Sequence, residues 1–142
     1  MARMEEVELT NMCMVCDGKG NVLVQNKKGD RTWHGWNFPG GHAEQGEFVT
    51  PSVVREIREE TGLTIENPKL CGIKEFHKEQ DGKRFIVFLY VACRFSGELR
   101  SSAEGDVFWY PLSELKRSKK LADGFSEMLP VFTSDEISEV FC

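Results

Sequence analysis

Alternating apolar and polar positions mark the first elements. Val7 to Val15 (VELTNMCMV) and Asn21 to Gln25 read as two strands. Asp17-Gly18-Lys19-Gly20 between them is a turn cluster whose glycines tolerate positive φ. Leu70 to Glu79 and Arg84 to Phe95 predict a second strand pair, with Asp81-Gly82 supplying a tight hairpin dipeptide. Val107 to Tyr110 is a shorter strand candidate. A polar, basic loop with Lys27, Lys28 and Arg31 leads into the aromatic segment Trp33 to Phe38 and then the Pro39-Gly40-Gly41 turn.

The helical signal is strongest from Pro51 to Thr61. Thr50 is expected to cap the first amides, Pro51 suits a first-turn position that needs no donor, and Gly62 suits a left-handed terminating residue. At about 100° per residue, Val53, Val54, Ile57 and Thr61 share one arc, the side expected to pack on a sheet. Glu56, Glu59 and Glu60 share the neighbouring arc. Further helices are expected over Ser113 to Lys119 and Phe125 to Phe132, with Pro130 limiting the second.

Composition narrows the class. A chain of 142 residues with 40% hydrophobic content, ten Phe and three Trp can bury one core, so a single domain over residues 1–142 is expected. Neither a signal-peptide pattern nor an uncharged stretch of bilayer length is visible, which predicts a soluble, cytoplasmic protein with no membrane partner. Eighteen Lys and Arg against 23 Asp and Glu give a net charge of -5, which argues against non-specific nucleic-acid binding. A small phosphate-bearing ligand remains open, provided that a basic pocket or metal ions supply local positive charge. Five scattered cysteines do not suggest a disulfide framework. Cys13 and Cys16 form a CxxC, but three residues apart on a strand they point to opposite faces and cannot chelate one ion.

Glutamates at i, i+3 and i+4 crowd like charges on one helix face. A solvated, charge-rich surface is one reading. A hard-cation site is the other, because carboxylate oxygens suit Mg²⁺ and Mn²⁺. The surrounding residues bear on that choice. Gly41, Glu47 and then Arg55-Glu56-Ile57-Arg58-Glu59-Glu60-Thr61-Gly62-Leu63 resemble the Nudix box, GX5EX7REUXEEXGU, at every fixed position. The resemblance implies the Nudix fold, an α-β-α sandwich of the α+β type with a mixed, curved sheet flanked by helices. It implies that Glu56, Glu59 and Glu60 bind divalent metal, Mg²⁺ or Mn²⁺, with the Gly40 carbonyl as a further ligand. It also makes Glu47 and Arg55 an orienting pair, where the residues alone allow an ordinary surface bridge from Arg55 to Glu59. Glu104, just before Gly105, matches a metal-linked or water-activating glutamate of MutT-type members, with Asp106 as the alternative and loop solvation as the plain reading.

The implied reaction is hydrolysis of a nucleoside diphosphate linked to another group, by in-line attack of an activated water whose proton goes to Glu56 or Glu104. LTNMCMV, WHGWNFPGGHAEQGE and FSGELRSSAEGDVFWY are similar to bacterial MutT-type 8-oxo-dGTP diphosphatases. That likeness implies an oxidised purine triphosphate as substrate and nucleotide-pool sanitation, linked to DNA repair, as the role. Asn37 is then the base-contacting amide. Phe38 or Trp36 is a stacking surface unless the core claims it, and Lys27, Lys28 and Arg31 are either contacts for the phosphate tail or plain solvated loop charge. Other (d)NTPs, dinucleoside polyphosphates, ADP-ribose and RNA 5' ends remain alternatives, as does a nucleotide-sensing module without catalysis. Monomer and homodimer are both open. The segment from Gly41 to Leu63 holds five glutamates and two arginines, so it carries -3 of the total -5, and bound Mg²⁺ would turn it locally positive.

Overall fold

A computed structural model of the chain describes residues 3–28 and 35–142. Its elements are β1 (Val7–Val15), β2 (Asn21–Lys27), β3 (Gly35–Asn37), α1 (Val49–Thr61), β4 (Leu63–Ile65) and β5 (Lys69–His77). There follow β6 (Arg84–Ala92), β7 (Phe95–Gly97), β8 (Gly105–Pro111), α2 (Leu112–Leu115), α3 (Phe125–Thr133) and β9 (Glu139–Phe141). A mixed sheet in the order β1-β6-β5-β9 joins β1 to β6 and β5 to β9 in parallel and β5 to β6 in antiparallel fashion. Antiparallel β3-β2-β8 forms a second sheet, and β4-β7 a small third one.

Strand alternation sends the mixed sheet's side chains into two cores. One face and α1 enclose Cys13, Val15, Val53, Ile57, Leu63 and Tyr90. The other face and α3 enclose Met12, Leu89, Phe125, Met128, Leu129 and Val131, and there Phe38 meets Phe125 and Phe132 edge-on at 4.8 and 5.0 Å. This is the expected sandwich, with α1 and α3 on opposite faces. Cys13 and Cys16 fall on opposite sides, and the cysteines are free thiols.

Several boundaries differ from the sequence expectation for local reasons. Phe48, not Thr50, stands at the N-cap of α1, without a side-chain cap, and the Thr50 hydroxyl instead pairs with the Tyr90 hydroxyl at 2.7 Å. Gly62 closes α1 as expected, at φ 81, donating its N–H to the Arg58 carbonyl at 3.0 Å. Asp81-Gly82 is part of a longer connection, since Lys78 N–H bonds the Lys83 carbonyl and Gly82 N–H bonds the Lys78 carbonyl. The expected Ser113 to Lys119 helix is one turn, α2. Pro130 lies inside α3 rather than ending it, because its missing N–H frees only the carbonyl of Ser126, an exposed residue.

Beyond β3, residues 39–43 lie antiparallel along the free edge of β1. The Asn11 N–H bonds the Gly41 carbonyl at 2.8 Å, Cys13 N–H bonds the Pro39 carbonyl at 3.0 Å, and Ala43 N–H bonds the Leu9 carbonyl at 3.0 Å. A Cβ on Gly40 would collide with the Asn11 carbonyl, and one on Gly41 with the Glu56 carboxylate. Two consecutive glycines thus let this segment lie between β1 and α1. That places the Gly40-Gly41 backbone at the mouth of a cleft.

Candidate active site

A cleft of about 540 Å³ runs between α1, the mixed sheet and α3. Gly40, Gly41, Glu56, Glu60, Lys27 and Glu104 line one part, and Asn37, Phe38, Lys74, Phe76, Phe85, Val87 and Met128 line another, with Glu8, Lys78, Gln80 and Asp81 also on the lining. Of the carboxylates considered for the site, Glu56, Glu60 and Glu104 line this cleft and Glu47 and Glu59 belong to the ion-pair network beside it, whereas Asp106 falls on neither.

Arg55 organises that network. Its Nε and Nη2 grip both Glu47 oxygens at 2.9 Å, a bidentate pair. Nη1 reaches Glu56 at 2.9 Å and Glu59 at 3.0 Å, and Nη2 also donates to the His42 carbonyl at 3.0 Å. Arg55 therefore ties the loop before α1 to the helix. Its hydrogen bonds, joined by the Glu44 N–H, hold the Glu47 carboxyl down at about 2. The same Glu47 bonds, followed by those to Glu56, raise the guanidinium further.

Glu60 sits differently from Glu59, although the two are neighbours in sequence. Glu60 is 4% exposed and accepts a hydrogen bond from Gln25 Nε2 at 2.8 Å. Burial, and then its hydrogen bond with Glu56, push its carboxyl well above the usual range against the opposing pull of Lys27 and Gln25. The Glu59 side chain is 54% exposed and turned to Arg55. Among the described residues no three His, Cys, Asp or Glu side chains are gathered closely enough to enclose an ion. The donor chemistry nevertheless fits Mg²⁺: Glu56 and Glu60 bring hard oxygens together at a buried point where like-charged carboxylates are costly without a cation. Gly41, free of a Cβ, lets the main chain approach Glu56.

The remaining expected residues divide. Lys27 and Asn37 line the cleft, and Asn37, 2% exposed, carries an Oδ1 without a hydrogen-bond donor among the described residues. Phe38 borders the cleft but is wholly buried, packed edge-on against Phe125 of α3. Trp36 meets Phe108 and Tyr110 edge-on at 4.9 and 5.1 Å, and Lys120 stands over its ring, away from the cleft lining. Phe76 and Phe85, stacked at 4.8 Å, also line the cleft. Lys28 pairs with Asp106 at 3.1 Å between exposed side chains. Arg31 lies outside the described residues. Glu104 is exposed at the cleft edge, its N–H on Ser102 Oγ at 3.2 Å.

Sequence reading missed Asn11 and Gln25. Asn11 accepts the Gly41 N–H on Oδ1 at 3.1 Å and donates through Nδ2 to Ser52 Oγ at 2.9 Å, joining β1, the glycine segment and α1. Gln25 follows the apolar run Val22-Leu23-Val24, which is a local signal, whereas Asn11 lies in a strand that also carries Glu8 and Thr10 and gives none.

A helix bearing such a glutamate set, clamped by one arginine beside a nucleotide-sized cleft in an α-β-α sandwich, defines a hydrolase of pyrophosphate linkages. Residues 8–132 match the NUDIX domain, and the chain belongs to the Nudix family as a MutT-type member. An uncharacterized Nudix hydrolase of Bacillus subtilis, YvcI, is 36% identical over 112 residues, covering 76% of this chain and 68% of that protein. The oxidized purine nucleoside triphosphate hydrolase of Danio rerio is 29% identical over 104 residues, 73% of this chain and 67% of that protein. Human 8-oxo-dGDP phosphatase NUDT18 is 32% identical over 100 residues, 66% of this chain, which spans only 29% of that relative. The MutT NUDIX hydrolase of Burkholderia pseudomallei superposes with a TM-score of 0.76 at 25% identity, over 88% of this chain and 97% of that one. Among the described residues no helix is long and apolar enough to cross a membrane.

Proposed function

We propose that this chain is a Mg²⁺-dependent nucleoside triphosphate pyrophosphohydrolase, acting on 8-oxo-dGTP or a related (d)NTP to give the monophosphate and pyrophosphate. Its setting would be the cytoplasmic nucleotide pool. The observation that carries this reading is the pairing of half-buried Glu56 with buried Glu60 beside the Arg55 clamp, at one end of a cleft of about 540 Å³. The oxidised-purine substrate is supported by what the Danio rerio and human relatives are named for.

Glu56, Glu60 and the Gly40 carbonyl would hold the ion, and Glu59 would join them by exchanging its Arg55 contact. The chemistry that Mg²⁺ would supply there is charge neutralisation of phosphate oxygens and a lowered pKa for the attacking water. Arg55 fixes the direction of the Glu56 carboxylate, and through Glu47 it fixes the loop that presents Gly40. Glu104 stands at the cleft edge, placed to receive the water's proton, with Glu56 as the other candidate base. Lys27, facing the cleft near Glu60, supplies positive charge for the phosphate tail. The test is Mg²⁺-dependent release of pyrophosphate from a panel holding 8-oxo-dGTP, 8-oxo-dGDP, the normal dNTPs and ADP-ribose. Turnover of 8-oxo-dGTP to monophosphate is expected, and a protein that binds these nucleotides but turns over none of them is a sensor instead.

A further inference from the structure

The floor of the cleft is one face of the mixed sheet, and strand register sets its side chains in rows. Glu8, Phe85 and Phe76 form one row, Thr10, Val87 and Lys74 the next, and Met12, Leu89 and Gly72 the third. On β5 and β6 every position in these rows is apolar or glycine except Lys74. Lys74 is only 6% exposed. Among the described residues it has neither an ion pair nor a hydrogen bond. Its ammonium stands 5.5 Å from the Phe76 ring, a contact that recovers only part of its lost hydration. A Cβ added at Gly124 would lie 2.7 Å from the Lys74 Nζ, so the start of α3 is shaped around this charge.

Asn37 lies on the other side of the same loop. The Trp36 N–H bonds the Lys120 carbonyl at 2.8 Å and Ala122 N–H bonds the Trp36 carbonyl at 2.9 Å, so residues 120–124 run from Asn37's neighbour to the Lys74 ammonium. The cleft thus holds a buried donor without an acceptor and a buried acceptor, Asn37 Oδ1, without a donor. Unpaired groups of that kind are costly in the free protein and gain most from a ligand that completes them. Phe76, Phe85, Val87 and Met128 surround them with apolar wall, which suits a base rather than a phosphate.

We propose that Lys74 is a specificity-determining residue whose ammonium donates to a carbonyl oxygen of the substrate's base. The cleft then selects keto purines, guanine and its 8-oxo form, over adenine. A lysine has donors only, and the guanine keto edge is its usual partner among bases. A C6 carbonyl with the neighbouring ring N–H answers Lys74 and Asn37 together, whereas adenine turns an amino group toward that ammonium. This inference rests on the nucleotide-hydrolase reading above and is tested separately from it.

The experiment compares wild type with Lys74→Met and Lys74→Gln, using kcat/KM for 8-oxo-dGTP, dGTP and dATP. Calorimetric binding of 8-oxo-dGMP and dAMP serves as an arm that needs no turnover. Lys74→Met should lose about 10- to 100-fold on both guanine substrates, carried in KM, and change little on dATP. Its affinity for 8-oxo-dGMP should fall by the same factor. Lys74→Gln, which keeps a donor, should fall between the two, and it carries the comparison alone if Lys74→Met does not fold. An unchanged guanine-to-adenine ratio in both variants overturns the proposal. Wild-type protein that binds 8-oxo-dGMP in a Lys74-dependent way but hydrolyses nothing would sink the enzymatic reading and leave the base contact standing.

Discussion

At the α1 end of the cleft one guanidinium serves Glu44, Glu47, Glu56 and Glu59, within 2.9 to 3.7 Å. At the α3 end one ammonium, Lys74, has no carboxylate partner among the described residues. The two ends also differ in burial: Arg55 works at a partly open surface, whereas Lys74 sits in an apolar floor. An excess of carboxylate calls for a cation, and a lone buried cation calls for an electron-rich acceptor. On the proposed reading, one ligand would meet both ends, its phosphates with metal at the first and a carbonyl oxygen of its base at the second.

Removing charge at the carboxylate end should have the largest effect. Glu60→Gln is expected to lower kcat on the order of 10²- to 10³-fold at saturating Mg²⁺, the scale for deleting one group of a preorganised electrostatic site. Turnover within a few-fold of wild type would mean that Glu60 is a core residue and no ligand. Arg55→Ala should come next, at about 10- to 100-fold, because Arg55 orients ligands without being one. Here the discriminating readout is the Mg²⁺ concentration for half-maximal rate, which should rise in Arg55→Ala. A fall in rate at unchanged Mg²⁺ dependence would break the orienting role.

The carboxylate end was far more legible in sequence than the Lys74 end, and the reason is physical. A helix face repeats at fixed spacing, so Glu56, Glu59 and Glu60 announced themselves locally, as did Gly62 at the α1 terminus. The floor residues come from β5 and β6 and from β1, which lies far from both in the chain, and no local spacing tells that Thr10, Val87 and Lys74 share one row. Spacing also could not tell Glu59 from Glu60, whose fates part because Glu60 faces Gln25 on β2 while Glu59 faces Arg55. Phe38 and Trp36 were offered to the base by their nearness to Asn37, yet α3 takes Phe38 and β8 takes Trp36. The short strands β3, β4, β7 and β9, of three residues each, are too brief to show alternation.

The site's own carboxylates should also give opposite pH slopes in stability. Glu60 is raised in the fold from 4.5 to about 8, so the folded state holds its proton more tightly than the unfolded chain. Its contribution is fully present below pH 4.5 and is lost as pH rises toward 8. Glu47 is lowered to about 2, so its contribution is present above pH 4.5 and is lost as pH falls through 2. Thermal midpoints in EDTA should therefore decline between pH 4.5 and 8 in wild type, and the decline should flatten in Glu60→Gln. An equal decline in both proteins would remove Glu60 from this account.

The smallest expected effect concerns Thr50, where local pattern and tertiary structure disagree. As an N-cap, Thr50 would stabilise α1 on its own, and Thr50→Ala and Tyr90→Phe would add independently. In the fold its hydroxyl is shared with that of Tyr90 at 2.7 Å, linking the first turn of α1 to β6 across the core that seats the glutamate helix. Each single variant should then cost about 0.5 to 1.5 kcal/mol. The double variant should cost clearly less than the sum, because one bond is being removed twice. Strict additivity in urea unfolding would restore the capping role and detach the orientation of α1 from the mixed sheet.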